Sequence, residues 1–344
     1  MANPLDPTLT AALRRRLALQ LMTGRAFQIK TPATVEYLKA THNWLSMGVQ
    51  GGYVHARSRT GKTFGTRWVL VSLPVLLDCA IPYLEIPLRD QVYDSERAFF
   101  QFMLQCACHP LYAKGSSGDK RDRLSRWLLA RARRSRIGTV VLVIDEAQLL
   151  SDHHFQWLLD ISNEIEAGGY RLFCLLVGQE PLHARAQNMT RYAEFEPIVA
   201  RFLICHHELS AMRTEQDLSM CLEQFDRTLY PVESGKTFVE NFVPEAWAQD
   251  FRLASCAPAF FSAFRSQAPV EKDAQELDIP MAFLAMALLQ FINAVAGFDS
   301  PTALVPQDTA RRAVENTNYH LFMNARAAQA DSVGESSSAA RRRR

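Results

Sequence analysis

The sequence predicts an α/β fold: a five-stranded parallel sheet with crossover helices, followed by an α-helical lid. Three observations predict it. Short strand-like runs alternate with helix-period segments between Gly52 and His206. One run, Thr139-Val140-Val141-Leu142-Val143-Ile144, is apolar throughout and β-branched, as a strand buried on both faces requires. Beyond Leu209 the strand pattern does not recur, while apolar helical segments continue.

Residues 1–30 read as an Arg-rich helical extension, with Arg14, Arg15 and Arg16 ahead of an apolar run to Met22. Thr31-Pro32 marks the start of a helix leading to Trp44. Strands are expected over residues 53–55, 83–86, 139–144, 172–177 and 202–206, and a helix over residues 63–73. A further helix opens at Ser151-Asp152, carries Leu158, Ile161 and Ile165 on one face, and stops at Gly168-Gly169. The stretch 191–200 reads as helical, as do 220–225, 238–247, 260–264 and 281–291. The expected domains are thus an extension over 1–30, an α/β core over 31–210, a helical region over 211–325 and a disordered basic tail over 326–344.

At 344 residues and 48% hydrophobic, the chain has enough apolar surface for one large core or a core with a smaller domain. Its net charge of +2 implies no polyanionic partner by itself, so any nucleic-acid contact must come from local clustering. The seven cysteines form no disulfide-like framework, which fits a reducing cytoplasm. Cys106-Ala107-Cys108-His109 has no second ligand pair at zinc-finger spacing, so metal binding there is not expected. The apolar stretch 279–295 contains Pro280, Gln290 and Asn293 and is short for a bilayer span, so it is expected to be a core helix, not a membrane segment.

The chemistry concentrates in two motifs. Ala56-Arg57-Ser58-Arg59-Thr60-Gly61-Lys62-Thr63 stands between a predicted strand and a predicted helix, the context of a phosphate-binding loop. There the backbone N–H groups from Ser58, Arg59, Thr60 and Gly61 and the helix N-terminus would cradle a polyphosphate. Lys62 would reach the β- and γ-phosphates, and Thr63 would place its hydroxyl on Mg²⁺. Ala56 stands where such loops usually carry their first glycine, which is tolerable if the backbone there avoids positive φ. The second motif is Asp145-Glu146 at the end of the apolar strand, where open α/β sheets bind ligands. Asp145 would hold Mg²⁺ through water and Glu146 would polarise the attacking water, so the expected cofactors are ATP and Mg²⁺.

Gln179, at the tip of the strand over 172–177, is the candidate to position the γ-phosphate or the water. Arg201, at the start of the last predicted strand, is the candidate to reach a neighbouring subunit's γ-phosphate, with Arg185 and Arg191 as alternatives. Basic residues cluster between Lys120 and Arg136 on a helix whose apolar face holds Leu124, Trp127, Leu128 and Leu129. From this cluster Arg121, Arg131, Arg133 and Arg134, and from the segment after the second strand Arg89 and Arg97, are candidates for DNA phosphate contact. A solvated helix face is the competing explanation.

Taken together, Ala56 to Thr63, Ile144-Asp145-Glu146-Ala147-Gln148, Leu176-Val177-Gly178-Gln179-Glu180-Pro181-Leu182 and Ala200-Arg201-Phe202 resemble the AAA+ transposition regulators of the TnsC, TniB and MuB type, and the broader ATPase group that includes ExeA. The resemblance covers roughly residues 30–210 and is more specific for AAA+ ATPases than for transposition. It implies a P-loop ATPase that forms a homo-oligomer, a ring or helical filament, on double-stranded DNA when ATP is bound. Such a regulator marks the target for a transposase and links it to a target-selector protein or complex; hydrolysis disassembles it. The resemblance assigns the acidic pair to Asp145 and Glu146, the polar sensor to Gln179 and the trans arginine to Arg201; Arg252 and Arg265 compete for the lid arginine. An ExeA-type ATPase driving assembly of a secretion machine is the alternative, although that group commonly carries a membrane span and an exported domain. A small-molecule P-loop kinase fits less well with the Asp-Glu pair and the long helical second half.

Overall fold

The computed structural model describes residues 29–89, 95–269, 277–297 and 305–328. The extension expected before residue 29 and the tail beyond 328 lie outside the described residues. The chain divides into two compact units. Among the described residues, one comprises those within 34–58 and 62–209; the other takes in those from 210 to 328 with 29–33 and 59–61.

The first unit begins with α1 (Pro32–Met47), β1 (Gly51–His55), α2 (Lys62–Leu76) and β2 (Tyr83–Pro87). It continues with α3 (Glu96–Cys106), α4 (Ser117–Ala132), β3 (Thr139–Asp145) and α5 (Asp152–Ala167), then β4 (Arg171–Gly178), α6 (Glu180–Met189) and β5 (His206–Glu208). The five strands form one parallel sheet in the order β2-β3-β4-β1-β5. β3 and β4 are central and almost wholly buried, which is why their sequences are apolar without alternation. The register pairs Asp145 with Val177 and His55 with Gly178, so the tips of β3, β4 and β1 end level with one another. The residues that follow those tips are the chemical ones.

Local signals set the boundaries. Ser116 and Asp119 close a capping box on α4. On α5 the partner three residues on is His154, whose Nδ1 accepts the Ser151 N–H at 2.8 Å. α5 ends at Gly168, and Gly169 takes φ 79°. At the start of β1, a Cβ on Gly52 would stand 2.9 Å from the Trp44 ring, so this glycine lets α1 lie directly on the strand.

The last strand is not where the sequence placed it. Residues 199–203 form a π-helical turn, and pairing begins at His206, against Tyr53. Phe202 and Leu203 are buried core residues of that turn. A short apolar run does not by itself distinguish a buried turn from a buried strand, and the true edge strand, His206-His207-Glu208, is polar. Arg201 therefore sits within the turn and not at the head of a strand. The helical stretch expected over 191–200 is found from residue 193, where 3-10, α and π turns follow one another without a break to Leu203.

The second unit is helical: α7 (Glu215–Arg227), α8 (Phe238–Phe242), α9 (Pro244–Ala248), α10 (Ala257–Gln267), α11 (Met281–Gly297) and α12 (Pro306–Glu315). Among the described residues its only extended pairings are isolated bridges, Met212 with Ile279 and Leu229 with Thr237. Phe225, Phe238, Phe242, Phe260, Phe264 and Phe291 fill its interior. Asp226 on α7 is buried there, and its two oxygens accept the N–H groups of Leu253 and Ala254 at 2.9 Å each, capping the short turn Leu253–Cys256. Burial raises its carboxyl above the usual range against the pull of those donors. The apolar stretch after Ile279 is α11, with Leu284, Ala287, Leu288, Phe291 and Ile292 in the core, as expected of a core helix. Among the described residues no helix is long and apolar enough to cross a membrane. The expected tail boundary at 326 falls inside a helical segment, where Arg326 pairs with Asp278.

Candidate nucleotide site

The loop between β1 and α2 has the conformation its sequence asked for. Left-handed φ falls at Arg59 (66°) and Gly61 (103°), not at Ala56, so the methyl group in place of the usual glycine meets no backbone penalty. Ala56 is buried and its N–H donates to Gly178 O at 3.1 Å, tying the loop entry to the tip of β4. Arg59, a non-glycine residue in the left-handed region, stores strain of about 1 kcal/mol or more in the loop tip.

Lys62 opens α2 and is only 8% exposed. Its ammonium donates to Ala56 O at 3.3 Å and Arg57 O at 3.2 Å, curling back over the loop it would share with a phosphate chain. Burial pulls its pKa down, while Glu146, Asp145 and Glu180 pull it up. Next along, the Thr63 hydroxyl donates to Asp145 Oδ2 at 2.8 Å. Asp145 Oδ1 accepts the Glu146 N–H at 3.0 Å. Thus the two oxygen ligands expected for Mg²⁺ already face one another. A magnesium site of this kind takes one or two protein oxygens and completes its shell with phosphate and water, so the donor set fits. Among the described residues no cluster of three or more His, Cys, Asp or Glu is arranged to hold a metal by itself, Cys106, Cys108 and His109 included.

Glu146 takes left-handed dihedrals, φ 57° and ψ 39°, uncommon for a residue with a long side chain and typical of functional strain. Its Oε2 accepts two amide donors, Gln148 Nε2 at 2.5 Å and Gln179 Nε2 at 3.2 Å. Gln179, the N-cap of α6, thereby stands beside the acidic pair as the sequence expected. Gln148 had no role assigned from sequence; its place in the turn Ala147–Leu149 straight after the acidic pair was the available signal.

Arg201 is separate from this constellation. Its guanidinium pairs with Glu166 at 3.5 Å, and Nη1 is buried without a hydrogen-bond partner among the described residues. Glu166 lies at the end of α5, and Gln50, just before β1, also donates to it at 3.2 Å. Arg201 thus belongs to the edge where β1 begins, whereas the phosphate loop follows its end.

The DNA-contact candidates differ in how far the fold already engages them. Arg121 is held by three carboxylates, Glu96, Asp160 and Glu164, at 3.2, 3.5 and 3.7 Å, so its charge is committed within the fold. The Arg131 guanidinium lies 3.2 Å from the Trp127 ring centroid and borders a groove along β2 with Tyr83, Glu85 and Cys106. Arg89 is exposed; burial raises the Cys106 thiol above its ordinary value, and Arg89 nearby offsets only part of that rise. Arg97, Arg133 and Arg134 are exposed. Lys120, charged and therefore expected at the surface, is fully buried; its ammonium donates to Tyr112 O at 2.8 Å and Lys114 O at 3.3 Å, fixing the loop before α4.

A histidine stack adjoins the loop, which sequence reading missed because its members are far apart in the chain. His55 lies 4.2 Å from His183 between ring centroids, and His183 lies 5.4 Å from His206. The Tyr53 hydroxyl meets His183 Nδ1 at 2.8 Å, and His55 Nδ1 meets Glu180 Oε1 at 3.2 Å. Burial, then Glu180, push the Tyr53 phenol up to about 12. His183 is held below its usual value by burial, then by His55 and His206, against Glu180 and Glu208. A folded-state pKa below the unfolded one makes the unfolded chain bind the proton more readily, so stability is present above the ordinary histidine value of about 6.5 and is lost as pH falls below it. Urea midpoints should fall over that window, and His183→Gln should flatten the fall; an unaltered pH slope in the variant would remove His183 as its source.

A family model described as an AAA domain matches residues 47–186. No curated protein matches the chain. Among solved structures, Aeropyrum pernix ORC2 in its ADPNP-ADP complexes is similar at 13% identity, with a TM-score of 0.51 over 92% of this chain and 68% of that one. The A. pernix ORC1 protein in complex with DNA matches at 14% identity and TM-score 0.48, over 88% and 69% of the two chains. Domain III of the Thermotoga maritima replication initiation protein DnaA matches at 12% identity and TM-score 0.44, over 92% and 99%. Residues 47–186 are thus similar to an AAA domain, and the five-stranded parallel α/β fold around the phosphate loop is like that of the ORC2 structure.

Proposed function

We propose that the protein is an ATP-hydrolysing AAA+ regulator that assembles on double-stranded DNA as a ring or helical filament, and that the assembly presents the target to a transposase and to a target-selector protein or complex. The observation that carries the ATPase part is the convergence of Lys62, Thr63, Asp145, Glu146 and Gln179 at the level tips of the central strands. In this reading Lys62 and the loop N–H groups hold the phosphates, and Thr63 and Asp145 hold Mg²⁺, which when bound offsets phosphate charge. Glu146 accepts a proton from the attacking water while its oxygen bonds to the γ-phosphorus and the bond to the β-phosphate oxygen breaks, releasing ADP and phosphate.

The DNA and transposition parts rest on the motif resemblance and on exposed cations. The exposed Arg89, Arg97, Arg133 and Arg134 and the half-buried Arg131 remain in the proposal as phosphate contacts, whereas Arg121 does not, because three carboxylates already neutralise it. Arg201, remote from the phosphate loop of its own chain, is the arginine proposed to act across a subunit boundary; to do so it must exchange Glu166 for a neighbour's γ-phosphate. The test is negative-stain electron microscopy of the protein with double-stranded DNA and a slowly hydrolysed ATP analogue, with controls lacking each. Rings or filaments that need both support the reading. Intact hydrolysis without DNA-bound assemblies would move the assignment to a protein-machine ATPase of the ExeA kind.

A further inference from the structure

Resting on the proposed hydrolysis, we infer that Gln148 is a positioning residue that joins the catalytic base and the strand-tip sensor into one hydrogen-bonded unit. Its carboxamide works in both directions. Nε2 donates to Glu146 Oε2 at 2.5 Å, and Oε1 accepts the backbone N–H of Gln179 at 3.0 Å. The Gln179 side chain returns to the same Glu146 oxygen at 3.2 Å. A closed ring of contacts thus links the tips of β3 and β4.

Two consequences follow from the chemistry of the groups. Both donors fall on Oε2, so Oε1 is the Glu146 oxygen left to take the proton of water. In addition, any shift of Gln179 toward a γ-phosphate pulls on Gln148 and through it on the base, so occupancy of the site and orientation of the base are coupled. The fold makes room for this link: a Cβ on Gly178 would stand 2.8 Å from Gln148 Oε1, so a side chain there would expel the carboxamide. Glu146 sits in a strained left-handed conformation and needs such holding, because a misplacement of about 1 Å costs roughly 10²-fold in rate.

The experiment compares Gln148→Glu and Gln148→Ala with the wild-type chain, measuring steady-state ATP turnover, ATP-analogue affinity, the pH profile of kcat and melting temperature. Gln148→Glu keeps an acceptor for the Gln179 N–H but replaces the donor to Glu146 by a carboxylate oxygen. Its kcat should fall about 10²-fold with affinity within about twofold of wild type. The acid limb of its kcat profile should move to higher pH, since two adjacent carboxylates share a proton. Gln148→Ala should lower kcat without that displacement of the profile. Unchanged kcat in both variants overturns the assignment, as does a parallel loss of affinity and melting temperature, which is the signature of a packing role. Absence of turnover in the wild-type chain that still binds the analogue would instead overturn the hydrolysis reading itself, and the assignment with it.

Discussion

Glu146→Gln is expected to leave ATP binding intact and cut turnover by about 10²- to 10⁴-fold, the range in which a positioned general base contributes. That corresponds to about 3–5 kcal/mol of lost transition-state stabilisation. The substitution is nearly isosteric, and the groups that hold the nucleotide do not depend on the carboxylate. Asp145 keeps its bond to the backbone N–H of residue 146 and to the Thr63 hydroxyl, and Lys62 keeps its loop carbonyls. What changes is the atom facing the water: an amide cannot accept its proton. The new amide also meets two donors, from Gln148 and Gln179, and must present its oxygen to them. Its nitrogen is then turned to the place where Glu146 offered a lone pair. Phosphate release under saturating ATP, with calorimetric binding alongside, checks both halves. If the proposed assembly on DNA is gated by ATP, the variant should also give long-lived assemblies. Turnover within about threefold of wild type would reassign the base.

The parts of the molecule written in contiguous chemistry were legible in the sequence. β3 announces itself because burial on both faces forbids polar residues, and Asp145 and Glu146 are conspicuous because they end that run. The loop from Ala56 to Thr63 is a local backbone device, and its one irregularity was resolved by the condition set for it, the absence of positive φ at Ala56. The last strand was misplaced because an apolar run at 202–203 satisfies a buried turn as well as a strand, whereas β5 is a polar edge of three residues. The roles that escaped are all products of tertiary approach. Gln148 meets Gln179 across 31 positions, His55 meets Glu180 across 125, and Tyr53 meets His183 across 130. A charge pattern also does not disclose its partners: Arg121 and Lys120 are neighbours in one basic cluster, yet one is clasped by carboxylates and the other is buried under loop carbonyls.

Lys62→Met should show that the same lysine is needed for nucleotide and costly without it. With its ammonium removed, the phosphates lose their one buried cation, and ATP affinity should fall by about 10²- to 10³-fold, equivalent to roughly 3–4 kcal/mol. Wild-type protein at 100 times the dissociation constant gains about 2.7 kcal/mol from ATP, seen as a rise in melting temperature; the variant at the same concentration should gain almost none. In the absence of ATP the order reverses. Burial holds the Lys62 pKa below its ordinary value, so in the folded state the charged form is disfavoured relative to the unfolded chain. By linkage the wild-type chain is penalised while the lysine is charged and recovers stability as pH rises through the folded-state value. Methionine fills similar volume with no charge to bury, so the nucleotide-free variant should melt about 2 °C higher near neutral pH, the advantage shrinking in alkaline solution. Thermal melts across pH, with and without ATP, measure both effects on one instrument. Retained ATP stabilisation in the variant would remove Lys62 from the phosphate site. A lower melting point without ATP would mean instead that its bonds to Ala56 and Arg57 hold the loop together and outweigh the buried charge.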